Sequence, residues 1–322
     1  MQLVLVRYAL LVAAVVVLNF ALPRLLPGDP LSGAAENGLG SAVPALTTQQ
    51  AAQLRATYHL DQPLPLQFTS YLADLLRGDL GWSLSHSAPV SQLIGERLPW
   101  TLALVLTAVL VAAAGGAAIG LMAAWRGGSW DRLVVGVSSA LAALPEFLVG
   151  MALLLALAVG LGWFPLQGGE TLFAPAGQTW PATLGDRLLH LALPAATLVV
   201  TNLAAFVLLS RGAIRGVLAE PYLATARAKG LGEWRVALQH ATPNALLPVL
   251  TMFGMRLGQV LGGAIVVERV FAVPGLGLFA FQAIQTRDYP VLQAVFLLAS
   301  LGVLLANFVL EVIYRRLEPR AA

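Results

Sequence analysis

The chain contains no cysteine among its 322 residues, and only 11% of its residues are charged. The missing cysteines exclude disulfides, a thiolate nucleophile and a thiolate metal site. Soluble domains carry about 25% charged residues, and a soluble fold with so few charges would expose an apolar surface and aggregate. Since apolar residues make up 58% of the chain, the composition predicts an all-α polytopic membrane protein whose helix exteriors face lipid.

The chain also lacks the residues of an ATPase or hydrolase site. Lys229 is the only lysine, and it precedes Gly230, whereas a Walker A loop needs its lysine directly after a glycine. A Gly-x-Ser-x-Gly nucleophile turn is absent. The chain is therefore not expected to be an enzyme. No metal site is expected either, because the four histidines are far apart and none forms an i,i+4 pair: His59, His86, His190 and His240.

Six apolar stretches are long enough to cross the hydrocarbon core of a bilayer, which takes about 20 helical residues. None has a charged face opposite an apolar stripe, as a surface helix of a soluble protein would. Arginine is concentrated in the loops on one side, so the positive-inside rule places both termini in the cytoplasm. The predicted spans are Tyr8–Leu26, Pro99–Trp125, Leu133–Leu161, Leu191–Leu209, Asn244–Val267 and Val291–Leu310.

The long loop after the first span is predicted to lie outside the cell and to contain short helices. Thr47 begins a Thr-x-x-Gln capping box, and Phe68 and Tyr71 lie on one face of a second short helix. Two alternatives remain open for these helices. They form either a structural cap over the spans or a docking surface for an external partner.

The cytoplasmic loop between the fourth and fifth spans contains an alanine-rich segment with basic residues. Pro221 is typical of the first turn of a helix and Gly230 of its C-terminal cap. A second helical segment follows and is interrupted at Pro243. A short helix on the membrane surface can fit the groove of a partner and transmit the motion of that partner to the attached spans.

The residues of this loop resemble the EAA loop of ABC importer permeases. Ala224-Thr225-Ala226-x-x-x-Gly230, with Pro243 beyond it, follows the pattern of that loop. Residues 222–231 and 240–248 are similar to the dipeptide/oligopeptide/nickel branch of the family. Further similarities to this branch, in the same order, cover essentially the whole chain: residues 26–30, 77–81, 96–101, 268–277 and 287–290.

The resemblance implies a type I ABC importer permease fold in the cytoplasmic membrane of a bacterium or archaeon. The chain would be the channel-forming subunit of an ATP-driven importer for peptides or a related small solute. The implied partners are a second homologous permease, two cytoplasmic ABC ATPases, an extracytoplasmic solute-binding protein and membrane lipid. No cofactor and no nucleic-acid partner are implied. The substrate stays open between dipeptides, oligopeptides, nickel or a metal chelate, and other solutes.

The resemblance also assigns regions and residues. Residues 1–98 would hold the first span and the outer loop, and residues 99–322 the permease core with five spans and a cytoplasmic coupling loop at 210–243. The helix that contacts the ATPase would contain Ala224, Thr225, Ala226, Arg227, Ala228, Lys229 and Gly230.

Two charges fall inside apolar runs, and Pro145 is predicted to break the helix just before one of them, Glu146. Glu146 and Arg256 each cost roughly 2.5–3.5 kcal/mol at the centre of a membrane helix, so each is expected to face a watery cavity or a partner. One hypothesis is that both line the translocation pathway, where they form an ion pair. The alternatives are an ion pair that only locks the third and fifth spans together, or charges that lie nearer the membrane interface.

Glycine and proline mark two further features. The stretch with Pro274, Gly275 and Gly277 is too irregular for an exposed membrane helix, and together with the resemblance it predicts an outer gate or a re-entrant turn.

Glycines repeat at short spacing in the second and fifth spans, which favours close helix approach. They mark either intrachain packing or a seam with the partner permease: Gly115, Gly116, Gly120, Gly254, Gly258, Gly262 and Gly263.

A secondary transporter driven by ions is the main alternative from another class. It would need an inverted repeat and buried carboxylates for ion coupling. The sequence has no visible repeat, and Glu146 is the one acid at depth.

Overall fold

The computed structural model describes residues 2–25, 62–83, 85–171, 179–258 and 264–317 of the chain. Within these ranges the fold is helical apart from one small antiparallel hairpin, β1 (Trp82–Ser83) with β2 (Ala88–Pro89). Segments with π-helical hydrogen bonding, Leu154–Gly160 and Val236–Ala241, extend two of the helices. The helices are α1 (Gln2–Leu25), α2 (Leu64–Leu76), α3 (Val90–Arg126), α4 (Gly128–Ala142), α5 (Glu146–Leu153), α6 (Trp180–Leu218), α7 (Pro221–Ala228), α8 (Glu233–Arg235), α9 (Thr242–Gly258), α10 (Ile265–Val270), α11 (Leu276–Thr286) and α12 (Tyr289–Leu317).

Four of the described helices are long and apolar enough to cross a membrane: α1, α3, α6 and α12. A fifth candidate span consists of α4 and the extended α5, which meet at an angle of 98°. These candidates confirm the predicted all-α polytopic membrane protein. The predicted fifth span begins within α9, which is described as far as Gly258. The next five residues of that predicted span, 259–263, lie outside the described part of the chain. The total of six spans therefore stays a prediction.

The bend between α4 and α5 lies at Pro145, where the sequence predicts a break. Proline has no N–H to donate and disfavours a helical conformation in the residue before it. Pro145 is extended, with ψ of 139°, and α5 begins at Glu146. The predicted third span is therefore two helices that run in very different directions.

Helices α3 and α6 are longer than the apolar runs that predicted them. The predicted second span begins at Pro99, but α3 begins at Val90, so the predicted boundary at residue 99 lies inside this helix. The predicted fourth span ends at Leu209, but α6 continues to Leu218 and covers the start of the predicted coupling loop. A helix needs only about 20 apolar residues to cross the hydrocarbon core, so hydropathy does not mark the ends of helices of 37 and 39 residues.

Glycine allows α3 and α6 to approach closely. A Cβ atom on Gly116 would overlap the side chain of Phe206, and one on Gly120 would overlap Ser210. The Ser210 hydroxyl donates a 3.0 Å hydrogen bond to the Gly116 carbonyl, and Phe206 is fully buried. These glycines therefore serve intrachain packing.

The same holds for the described glycines of the fifth span. Gly254 faces Leu310 of α12 with no room for a Cβ, and Gly258 lies against Val303. Both contacts are within the chain, so the alternative of a seam with the partner permease finds no support at these two positions. Gly262 and Gly263 lie outside the described residues.

The outer helix α2 packs against α1. The rings of Phe68 and Phe20 lie edge to face, with centroids 5.1 Å apart. Tyr71 lies beside Phe20 as well, and its hydroxyl accepts a 3.0 Å hydrogen bond from Asn19. The predicted helical face with Phe68 and Tyr71 is thus a packing face on the first span. The Thr47 capping box lies outside the described residues.

Candidate functional site

Helix α7, which is predicted to lie in the cytoplasm, begins and ends where the sequence predicts. Glu220 is extended and precedes Pro221, which occupies the first helical position. Gly230 follows the helix with φ of +78°, a left-handed conformation that glycine adopts without a steric penalty.

One face of α7 is seated on the protein itself. Leu223 is fully buried and Ala226 is 5% exposed. Both belong to an apolar cluster with Trp125 at the end of α3 and with Val217 and Leu218 at the end of α6. The helix is therefore fixed to the ends of α3 and α6.

The opposite face of α7 is open. All the residues predicted to contact the ATPase, except Ala226, are exposed: Ala224, Thr225, Arg227, Ala228, Lys229 and Gly230. Ala226 points into the chain's own core, so its side chain serves to seat the helix. The sequence could not distinguish the two faces, because alanine occurs on both.

Polar contacts join α7 to the segment that follows it. The Tyr222 hydroxyl donates to the carbonyl of His240 at 3.2 Å and accepts from Asn244 at 2.8 Å. Arg227 and Glu233 form an ion pair of 3.0 Å. This ion pair is exposed and contributes little stability by itself, but these contacts keep α7 and the start of α9 together.

In the region predicted to face the outside, a buried carboxylate organises the turn between α10 and α11. Glu268 is fully buried and accepts hydrogen bonds from the Thr101 hydroxyl at 2.6 Å and the Leu278 N–H at 2.9 Å. The carboxylate thus lies at the N-terminus of α11, where a negative charge is favourable. Burial raises the pKa of Glu268, and the hydrogen bonds from Thr101, Leu278 and Gly277 act in the opposite direction.

The position of Glu268 explains the glycines of this turn. A Cβ on Gly275 would overlap the Glu268 carboxylate, and a Cβ on Gly277 would lie 2.9 Å from Glu268 Oε2 and 2.8 Å from Ile265 Cα. Pro274 is exposed, whereas Gly275 and Gly277 are buried. The predicted irregular turn is present, and its role as a gate stays a prediction. The sequence pattern contains Glu268 and the glycines but does not indicate that they touch.

A second buried carboxylate holds the hairpin. Asp288 is 2% exposed, and its Oδ2 accepts hydrogen bonds from the Ser83 and Ser85 hydroxyls, both at 2.6 Å. The His86 ring also contacts Ser85, at 2.9 Å. These hydrogen bonds join the hairpin to the start of α12.

Glu146 and Arg256 lie within electrostatic range of each other. Glu146 is the first residue of α5 and Arg256 lies in the last turn of α9, and both side chains are half-buried. The Arg256 charge acts on the Glu146 carboxylate through an electrostatic interaction. This range is compatible with the ion-pair hypothesis. Both the pairing and a role in translocation stay predictions.

The described ranges contain no candidate metal-binding cluster. No three histidine, aspartate or glutamate side chains in them are close enough to hold an ion.

Comparison with known proteins identifies the family. Residues 116–322 match the binding-protein-dependent transport system inner membrane component family. The chain belongs to this family. The matched range covers α6, α7, α9 and the outer turn at Glu268, so the sites described above, except Thr101 and the hairpin, lie within it.

Full-length relatives support the same assignment. The chain is 35% identical over 309 residues to a probable peptide ABC transporter permease of Sinorhizobium fredii, which covers 96% of this chain and 94% of the relative. It is 39% identical over 306 residues to the glutathione transport system permease of Pectobacterium atrosepticum, with 95% and 92% covered. The corresponding Escherichia coli protein is 38% identical over 304 residues, with 94% and 92% covered.

Membership settles the class of the molecule. The chain is a dipeptide/oligopeptide-type permease, the membrane subunit of an ABC importer, and a multi-pass protein of the cytoplasmic membrane. The family implies association with ATPase and solute-binding partners, and it implies no ATPase site in the permease itself.

Proposed function

We propose that this permease forms half of a translocation channel for short peptides, including glutathione-like peptides. It would pair with a second homologous permease, two cytoplasmic ATPases and an extracytoplasmic binding protein. The substrate class is supported by the names of relatives that cover more than nine-tenths of the chain, one a probable peptide permease and others glutathione permeases. Peptides carry charged termini, which suits a pathway that contains both signs of charge.

The observation that carries the proposal is the seating of α7. Its buried residues Leu223 and Ala226 hold it on the ends of α3 and α6, while Thr225, Arg227 and Lys229 face outward. A partner ATPase that grips the outward face would move α7, and α3 and α6 would move with it. Alternating access follows when ATP binding and hydrolysis favour different arrangements of the spans.

Two further roles belong to this proposal. Glu146 and Arg256 would line the pathway and meet the charged ends of a peptide. The turn with Pro274, Gly275 and Gly277 would act as an outer gate, supported by its position between two short helices and its packing on Thr101 of α3 through Glu268.

The test is uptake by the reconstituted complex. Proteoliposomes that contain both permeases and both ATPases, with ATP inside and loaded binding protein outside, should accumulate labelled di- and tripeptides and glutathione. Accumulation should stop when the partner ATPases carry a disabled Walker A lysine, and it should persist when ion gradients are collapsed. Uptake that needs an ion gradient and no ATPase would instead make the chain a secondary carrier.

A further inference from the structure

Asp131, at the start of α4, is held between two arginines of α6. Its side chain is 5% exposed. Oδ1 accepts from Arg211 Nε at 2.5 Å and Oδ2 from Arg211 Nη2 at 2.7 Å, while Arg215 Nη2 donates to Oδ2 at 2.6 Å. Arg211 and Arg215 are four residues apart, so they lie on the same face of the helix. The bidentate, charge-assisted contact between Arg211 and Asp131 is both strong and geometrically specific.

The two arginines of this contact lie at the end of α6 that packs against α7. Arg211 and Arg215 lie in the final turns of α6, which ends at Leu218. Leu218 packs in the same cluster as Leu223 of α7. Any displacement of α7 therefore reaches these arginines within a few residues of a continuous helix.

The carboxylate of this contact, Asp131, belongs to α4, the first half of the bent candidate span. α4 carries Asp131 in its first turn and leads to the 98° bend before Glu146. Gly127 and Gly128, which connect α3 to α4, both have positive φ. Because neither has a side chain, this turn makes no side-chain contacts that would fix the direction of α4. Within the described ranges, α4 forms two ion pairs, and both join Asp131 to α6: one to Arg211 and one to Arg215.

We propose that Asp131 is a positioning residue that makes α4 and the end of α6 move as one body, so that motion of α7 reaches the bent span and Glu146. The inference rests on the proposed function, because it assigns the route by which the ATPase step reaches the pathway. Loss of the carboxylate removes the counter-charge that Asp131 gives to Arg211 and Arg215. Within the described ranges, α4 then keeps its apolar contacts, among them Val134 with Ala123 and Val207.

A purely structural role makes a different prediction. An ion pair that only stabilises the fold would, when removed, lower the amount of assembled complex and reduce ATP hydrolysis and uptake together. A transmitting contact would, when removed, separate the two activities.

The first experiment uses the whole reconstituted complex with Asp131→Asn in this chain. Uptake should fall by roughly tenfold or more, the scale of a coupling between sites, while ATP hydrolysis continues and responds less to loaded binding protein. The exchange Asp131→Arg with Arg211→Asp should restore uptake in part, because the new carboxylate again lies beside Arg215. Equal losses of hydrolysis and uptake, with no rescue by the exchange, would overturn the inference.

A matched control is the ion pair of Glu170 with Arg187, at 2.8 Å and exposed on both sides. Glu170→Gln removes one carboxylate charge in the same way at a position remote from α7. Uptake and hydrolysis of this variant should equal those of the wild type.

The second experiment remains decisive if Asp131→Asn fails to assemble. The chain has no cysteine, so Val134→Cys with Val207→Cys provides a single thiol pair within one cluster that joins α4 to α6. Bridging the pair with a short thiol cross-linker should leave uptake intact, because the two helices move together. Loss of uptake on bridging, regained on reduction, would show that they move apart and would exclude the proposal. Absence of ATP-driven uptake in the wild type would instead count against the proposed function.

Discussion

Thr101 and Glu268 are joined by a 2.6 Å hydrogen bond that links α3 to the outer turn, although they are 167 positions apart in the chain. The same hydroxyl accepts from the Leu276 N–H at 2.8 Å. One side chain thus binds both the buried carboxylate and the first residue of α11. A buried charge is tolerated when such partners satisfy it, and this contact fixes the turn that follows α10.

The first prediction concerns the glycine beneath the carboxylate. Gly275→Ala should lower the stability of the purified protein by about 1–3 kcal/mol, the usual cost of overpacking, because the new Cβ would overlap the Glu268 carboxylate. Thermal unfolding in detergent measures the effect. Gly185→Ala is the control, since a Cβ there meets no atom within 4 Å. Equal melting temperatures for the two variants would contradict the close contact.

The second prediction concerns pH. Because burial raises the pKa of Glu268 above its ordinary value of 4.5, the folded state holds this proton to higher pH than the unfolded state. Stability should therefore fall as pH rises from 4.5 through the raised pKa. Glu268→Gln does not titrate, so its melting temperature should lack this component. A wild type that gained stability relative to Glu268→Gln over that window would reverse the sign and refute the prediction.

The third prediction concerns the seam between α3 and α6. Gly120→Ala should destabilise the protein by about 1–3 kcal/mol, because its Cβ would overlap Ser210 and lie 2.7 Å from the Val207 carbonyl oxygen. Gly95→Ala lies in the same helix with no atom within 4 Å of its Cβ. This control should be neutral or slightly stabilised, since alanine favours helix. Thermal unfolding of both variants checks the prediction, and a harmless Gly120→Ala would contradict the close packing.

The fourth prediction concerns the intramembrane charges. Glu146→Gln and Arg256→Gln should each reduce peptide uptake, because each leaves the remaining charge without the opposite charge that lies within electrostatic range. The exchange Glu146→Arg with Arg256→Glu should restore assembly. If the charges line the pathway, the exchange should also change the KM for peptides that differ in terminal charge. Full recovery with unchanged KM for every peptide would favour a locking pair, and no recovery at all would dismiss the pairing.

Much of the local structure could be predicted from the sequence because its causes are local. Pro221 and Gly230 define α7 through backbone preferences of single residues, and Pro145 predicts the bend before α5 in the same way. Apolar runs identified the long helices but not their ends, since a helix continues beyond the hydrocarbon core. The resemblance correctly assigned the family.

The contacts between distant segments could not be predicted in this way. Asp131 with Arg211, and Thr101 with Glu268, depend on which helices pack together, and no local preference specifies that. The spacing of Gly116 and Gly254 indicated close packing but not the partner, and the structure assigns both to helices of the same chain. Ala226 resembles its exposed neighbours in sequence and differs from them only in the direction it faces.

The measurement that tests the central claim most directly is cross-linking from α7. In this chain, which has no native cysteine, a thiol-directed photo-cross-linker would be attached at Thr225→Cys on the exposed face and, as the control, at Ala226→Cys on the buried face. The assembled complex is then irradiated. We expect an adduct with the cytoplasmic ATPase from position 225 and little or none from position 226. Labelling of position 225 by a membrane-impermeant reagent from outside the cell, or an assembled complex without any ATPase adduct at 225, would contradict the account.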